Sequence, residues 1–280
     1  MPAEIAYQHE TPHGPRTVTV RYERRGSGTP LLLMHGIGHH WQAWEPVLPA
    51  LAERHDVIAI DLPGFGASAP LPAGVAYDLE SVVPGLGSLC AALEVERPHV
   101  VGNSLGGLLA LEMGRRGLAR SVTALSPAGF WTRPEQAYAF GVLLGMRFGA
   151  RTLPAPLARR LAENPSTRGL LVGSIYARPK LRAPEDALAE TRALRGAKGF
   201  AATLKAGRGV DYRVDVSGVP VTIGWGTKDR LLVPRQADRA EIRLPKAKVV
   251  RLPGCGHVPM NDDPALVAET ILGAVAAAEA

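Results

Sequence analysis

Only two of the 280 residues are cysteine. Cys90 and Cys255 have no metal-ligand spacing and no disulfide framework around them, which suits a reducing compartment and makes the cytoplasm the expected location. Cys90 falls in a helical pattern and is expected to be packing. No apolar run approaches the roughly 18–20 residues of a membrane span, so no membrane partner is expected. Met1-Pro2-Ala3-Glu4-Ile5-Ala6 has neither the basic region nor the apolar core of a secretory leader. A concentrated basic stripe with aromatic or groove-reading residues is also missing. The net charge of +6 comes from scattered arginines such as Arg115, Arg116, Arg159 and Arg160, which excludes nucleic acid as the expected partner. No Asp/Glu/His cluster has ligand spacing, and no glycine-rich loop carries the lysine of a phosphate cradle. Neither a metal nor an organic cofactor is therefore expected.

What is present is the composition of a globular protein, 46% hydrophobic and 21% charged, long enough to bury a sizeable core. The first third alternates short β-rich runs with helix-like stretches. Thr17 to Tyr22 alternates at period two and predicts an antiparallel edge hairpin. Pro30 to Met34 and Asp56 to Ile60 are continuous apolar runs, as expected of strands covered on both faces. Trp41 to Leu51 has Trp44, Val47, Leu48 and Leu51 at helical spacing. Val100-Val101, Val122 to Leu125, Val219 to Trp225 and Lys248 to Leu252 supply later strands. Strands alternating with helices predict an α/β fold with a mostly parallel central sheet and helices on both faces.

That rhythm breaks in the middle of the chain. From about 131 to 211 the sequence is helix-like, punctuated by prolines and free of strand-type runs. Asn164-Pro165 reads as an N-cap followed by proline at the first helical position. The expected organisation is a core of residues 1–130 and 212–280 with an inserted helical cap at 131–211.

Gly102-Asn103-Ser104-Leu105-Gly106-Gly107 follows the Val100-Val101 strand and opens a helical run. A Gly-x-Ser-x-Gly turn between strand and helix projects its serine away from the sheet, and the small flanking residues let the backbone fold back. A serine hydroxyl is a weak nucleophile and needs a base, which in turn needs an orienting partner. Asp229 lies just past the Val221–Gly226 strand and His257 just past the Val249–Leu252 strand, both at the carboxyl ends where open parallel sheets bind ligands. Asp211 and Asp215 precede their strand, and Asp238 falls in a helical segment. His35-Gly36-Ile37-Gly38 follows the Leu31–Met34 strand, so the backbone N–H groups of Ile37 and Leu105 are candidate oxyanion donors. His35 is expected to pack beneath that loop, and His39 or His40 to line a pocket. Cys255 and the tryptophans are expected as packing, with Trp131 a candidate for the pocket wall.

With these elements in order, the chain resembles the α/β-hydrolase superfamily over nearly all of residues 15–280 apart from the cap. The segments that carry the resemblance are His35-Gly36, Asp61 to Ser68, the Ser104 turn, Asp229 and Gly256-His257. The resemblance implies that Asp61 to Ser68 is a loop shaping the cleft rim. It implies a serine hydrolase acting on a small to medium carboxylic ester or lactone, with a small molecule as its partner and a homo-oligomer left open. Serine at 104 separates the chain from relatives with aspartate there, the haloalkane dehalogenases and epoxide hydrolases. Carbon–carbon bond hydrolysis of ring-cleavage products is a rival, since that group carries Asn before its serine, as Asn103 does, and uses a cap arginine (Arg168, Arg178, Arg182 and Arg192 are candidates). It also has Trp where this chain has Val258. Acyl transfer, perhydrolysis and a non-enzymatic ligand receptor complete the alternatives.

Overall fold

The computed structural model describes residues 2–280. Period-two alternation builds the amino-terminal hairpin of β1 (Ala3–His9) and β2 (Arg16–Arg25), in which Val18 and Val20 are buried between more exposed neighbours. The hairpin occupies one edge, with β2 pairing antiparallel to β4 (His55–Ile60). All other pairings are parallel: β3 (Thr29–Met34), β4, β5 (His99–Asn103), β6 (Ser121–Leu125), β7 (Val221–Gly226) and β8 (Lys248–Leu252) complete an eight-stranded sheet of order β1-β2-β4-β3-β5-β6-β7-β8. Every residue of β4, β5, β6 and β7 is buried, the consequence of helices covering both faces. Those helices are α1 (Leu48–Ala52), α2 (Leu79–Ala92), α3 (Leu105–Arg115), α9 (Arg235–Arg243) and α10 (Pro264–Glu279).

One element differs from the sequence expectation. The helical stretch read over Trp41–Leu51 is a 3-10 turn at Trp41–Trp44 followed by the five-residue α1. Pro46 and Pro49 are the cause, because each removes an N–H from a continuous hydrogen-bond ladder. The apolar spacing still serves its purpose: Trp44, Val47, Leu48 and Leu51 are fully buried.

Between β6 and β7 the chain is helical: α4 (Arg133–Thr152), α5 (Ala155–Glu163), α6 (Pro165–Val172), α7 (Pro184–Gly196) and α8 (Phe200–Gly207). Local chemistry starts them. Thr132 and Glu135 close a capping box on α4, the Thr132 N–H donating to Glu135 Oε2 at 2.7 Å. Asn164 caps α6 by accepting from the Ser166 N–H at 2.9 Å, with Pro165 at the first helical position. The two ends of the segment are tied together. Trp131 Nε1 donates to the Val210 carbonyl at 2.8 Å, and the Tyr212 N–H to the Gly129 carbonyl at 2.9 Å. Among the described residues, no helix is long and apolar enough to cross a membrane.

Candidate active site

Ser104 sits between β5 and α3 with φ 57° and ψ −112°, a conformation a side-chain-bearing residue adopts only under constraint. The constraint is visible. Its N–H donates to the Leu125 carbonyl at 2.9 Å, while its carbonyl accepts from Leu108 and Ala128 at 3.0 and 3.1 Å. The flanking glycines are steric necessities. A Cβ on Gly102 would lie 2.0 Å from the Gly106 carbonyl oxygen, and one on Gly106 would lie 2.1 Å from that of Met34. Leu105 is the first residue of α3, so its N–H has no partner in the helix and belongs to the free donors of a helix start.

Asp229 and His257 are brought together by the ends of neighbouring strands β7 and β8. Asp229 is buried; its Oδ1 accepts from the Leu231 and Leu232 N–H groups at 2.9 and 2.8 Å, leaving Oδ2 to accept from His257 Nδ1 at 2.8 Å. Asp211, Asp215 and Asp238 stand elsewhere, in ion pairs with Arg213 and Arg243, Lys246, and Arg251. Ser104 and His257 line one cavity of about 550 Å³ together with Gly36, Ile37 and side chains of α4, α6 and α7. No hydrogen bond joins the Ser104 hydroxyl to the imidazole in this structure; such links are often long until a substrate draws them tight. Leu105 borders a smaller void that it shares with Ile37, Ser104 and Trp131.

The His257 backbone is held from both sides. Its carbonyl accepts from Asn103 Nδ2 at 2.8 Å, and its N–H donates to the Ile175 carbonyl, beyond α6, at 2.9 Å. Asp262 completes the clamp, accepting from Gly256 N–H at 2.7 Å and from Ala177 and Arg178 N–H at 3.0 Å each. Asn103 and Asp262 are positioning residues that sequence reasoning missed. Asn103 stood out only as a point of resemblance, and nothing in the sequence singled out Asp262; its neighbour Asp263 caps α10 by accepting from the Leu266 N–H.

His35 lies beneath the loop as expected: Nδ1 donates to the Gly36 carbonyl at 2.7 Å, and Nε2 accepts from the Leu62 N–H at 3.0 Å. Burial pushes its pKa from 6.5 down to about 3. Below pH 6.5 the unfolded chain therefore takes up a proton that the folded chain refuses. Stability falls with pH in that window, by about 1.4 kcal/mol per unit from this one residue. Urea midpoints at pH 7.5 and pH 5.0 are expected to separate more in the wild type than in His35→Asn; equal separations would remove this account.

His39 lines the cavity and His40 does not. Cys255 is buried, and burial together with the nearby Asp262 and Asp263 carboxylates pushes its thiol up to about 12, so it stays protonated and packs. The Asp61–Ser68 loop borders a small pocket, which Leu62, Pro63 and Phe65 line together with Leu105. None of its residues lines the large cavity. Asp61 is buried, its carboxylate accepting from the Trp41 and Ala67 N–H groups at 2.7 and 2.8 Å. Gly64 accepts from the Gly199 N–H at 2.9 Å, fastening the loop to the end of the helical segment. Its short turns and buried carboxylate make it a structural knot.

A parallel sheet with a strained serine turn, and a paired aspartate and histidine at the strand ends, defines a class of hydrolytic fold, and sequence comparison bears this out. The family model described as alpha/beta hydrolase family matches residues 31–270. The chain belongs to the alpha/beta hydrolase family, and its relatives make it a hydrolase. It is 32% identical over 265 residues to a pimeloyl-[acyl-carrier protein] methyl ester esterase of Aeromonas hydrophila, covering 91% of this chain and 98% of that one. A 2-hydroxy-6-oxo-2,4-heptadienoate hydrolase of Pseudomonas putida is 42% identical, over 94 residues, 32% of this chain and 34% of that one. Among solved structures, a thermophilic esterase from Thermogutta terrifontis superposes with a TM-score of 0.78 at 20% identity, covering 99% of this chain and all of that one.

Proposed function

We propose that this protein is a serine hydrolase that cleaves a small to medium carboxylic ester or lactone through an acyl-enzyme intermediate. The carrying observation is the strained Ser104 on the same cavity as His257, whose Nδ1 is held by Asp229. His257 Nε2 takes the Ser104 proton as the hydroxyl oxygen attacks the carbonyl carbon. The Ile37 and Leu105 N–H groups receive the oxyanion. The tetrahedral intermediate collapses with loss of the alcohol, which leaves with the proton from His257. The same imidazole then takes a proton from water as it attacks the acyl-enzyme, and the acid is released with Ser104 restored. Residues 131–211 act as the cap that encloses the acyl group.

An ester is favoured over a ring-cleavage product by the cavity wall. None of Arg168, Arg178, Arg182 and Arg192 lines it, whereas Glu190 does. Arg168 is engaged by the carbonyls of Ala162 and Lys180, and Arg182 by Glu190 and Asn261. A substrate carboxylate finds no cationic partner there.

Incubation with a fluorophosphonate tests the reading. The expected result is a single phosphonylated peptide containing Ser104, absent in Ser104→Ala. Labelling at another residue, or none, overturns it.

A further inference from the structure

The large cavity reaches the surface between helices. α4 packs on α7, while α5 and α6 pack on each other and on α7, so the cavity lies between α4 on one side and the α5–α6 pair on the other. Gly145, Gly149 and Thr152 of α4 and Leu170 of α6 line it and are themselves exposed, which marks its mouth.

Large apolar side chains stand in the open around that mouth. Leu170 is 76% exposed and Phe148 70%, with Leu144 at 52% and Leu157 at 44%. Helical spacing places them at the rim. Phe148 stands between the lining residues Gly145 and Thr152 on one face of α4, with Leu144 one turn before it. On α5, Leu157 lies one turn before Leu161, another lining residue. Single exposed leucines are ordinary, but a group of them around an opening marks a contact surface.

Positive charge gathers at the same place. Residues 136–184 hold eight Lys and Arg against one acidic residue, Glu163, while the whole chain holds 32 against 26. The rest of the chain, at 24 against 25, is close to neutral. Arg147 and Arg168 are committed to backbone carbonyls, and Arg182 to Glu190. Arg151, Arg159 and Arg160 are exposed and form no ion pair among the described residues. Arg151 follows Phe148 by one turn of α4, and Arg160 follows Leu157 by one turn of α5, so each shares a face with an exposed apolar side chain.

This interleaving decides which partner fits. Protein interfaces gather apolar side chains at a centre and place charge at the rim. Here guanidinium and apolar group adjoin, as in helices that lie in the boundary layer of a bilayer. There, rings and leucines enter the acyl edge while arginines stay among the phosphates.

We propose that the face formed by α4, α5 and α6 docks on the surface of an anionic bilayer, with the mouth of the cavity turned to the lipid. Such docking needs no spanning helix, and none is present among the described residues. An ester dissolved in the bilayer would then reach Ser104 without crossing water, a consequence that rests on the serine hydrolase reading. The docking itself does not rest on it.

Flotation of the protein with vesicles of phosphatidylcholine, alone or mixed with phosphatidylglycerol, tests the proposal. The wild type is expected to partition at least about thirtyfold more strongly onto the anionic vesicles, and to come off in high salt. Arg151→Gln with Arg160→Gln should weaken that partition about thirtyfold, at about fivefold for each charge near an anionic surface. Leu144→Ser with Phe148→Ser should weaken it about tenfold or more. All four side chains are exposed or half-buried at most, so both variants should unfold within a few degrees of the wild type. Flotation needs no turnover, so Ser104→Ala should float like the wild type, and failure of the hydrolase reading would leave this result untouched. A wild type that ignores anionic vesicles, or variants that float unchanged, overturns the proposal. A dimer seen by light scattering that the Leu144→Ser, Phe148→Ser variant dissociates, without vesicle binding, would assign the face to a second copy. Retention on immobilised polyglutamate without vesicle binding would assign it to an acidic protein; either result overturns the bilayer.

Discussion

Ser104→Ala is expected to reduce kcat for p-nitrophenyl butyrate by about 10⁶-fold, the scale on which removal of a nucleophilic serine acts in a triad enzyme. The loss should fall on chemistry and spare the fold. Ser104 makes no side-chain cap on α3, and the hydrogen bonds that hold it in place are made by its backbone N–H and carbonyl, which alanine keeps. Alanine also keeps the Cβ that already stands in the left-handed conformation, so the strain is unchanged. The variant should therefore unfold within a few degrees of the wild type, and KM should change little if the cavity rather than the hydroxyl binds the acyl chain. Running acetate, butyrate and octanoate esters in parallel sizes the cavity. Activity that survives in the variant would mean that the reaction does not pass through Ser104.

The residues that sequence reasoning located share one physical property: they are tied to local backbone events. The buried strands announce themselves as apolar runs because both faces are covered; Ser104 follows β5 directly, Asp229 stands three residues past β7, and His257 five residues past the partly exposed edge strand β8. Gly102 and Gly106 are legible because the turn admits nothing larger. The missed residues act across long sequence distances. Asp262 reaches Ala177, 85 residues away, and Asn103 reaches the carbonyl of His257 across 154. Nothing in the local pattern around Glu190 distinguishes it from Glu185 five residues earlier, which is exposed; only the packing of α7 turns one inward. The Trp41–Leu51 helix failed for the opposite reason. Its apolar spacing was right, and two prolines overrode it.

The second large effect is expected from Asp229→Asn, about 10⁴-fold in kcat. The direction follows from the two oxygens. Oδ1 is held by the N–H groups of Leu231 and Leu232, which can only donate, so an asparagine must place its carbonyl oxygen there. Its NH2 group then occupies the position of Oδ2, 2.8 Å from His257 Nδ1. Two donors cannot face each other, and the imidazole responds by moving its proton from Nδ1 to Nε2. In that tautomer Nε2 has no lone pair for the Ser104 proton, and general-base catalysis stops although every residue keeps its place. Asp229→Ala removes the orienting oxygen without imposing the wrong tautomer, so asparagine, the closer mimic in shape, should be no more active than alanine. Fluorophosphonate labelling should slow in parallel with ester turnover in Asp229→Asn, since both need the proton removed from Ser104. An asparagine variant that retains a tenth of the wild-type rate would show that the imidazole tautomer is not set by Asp229.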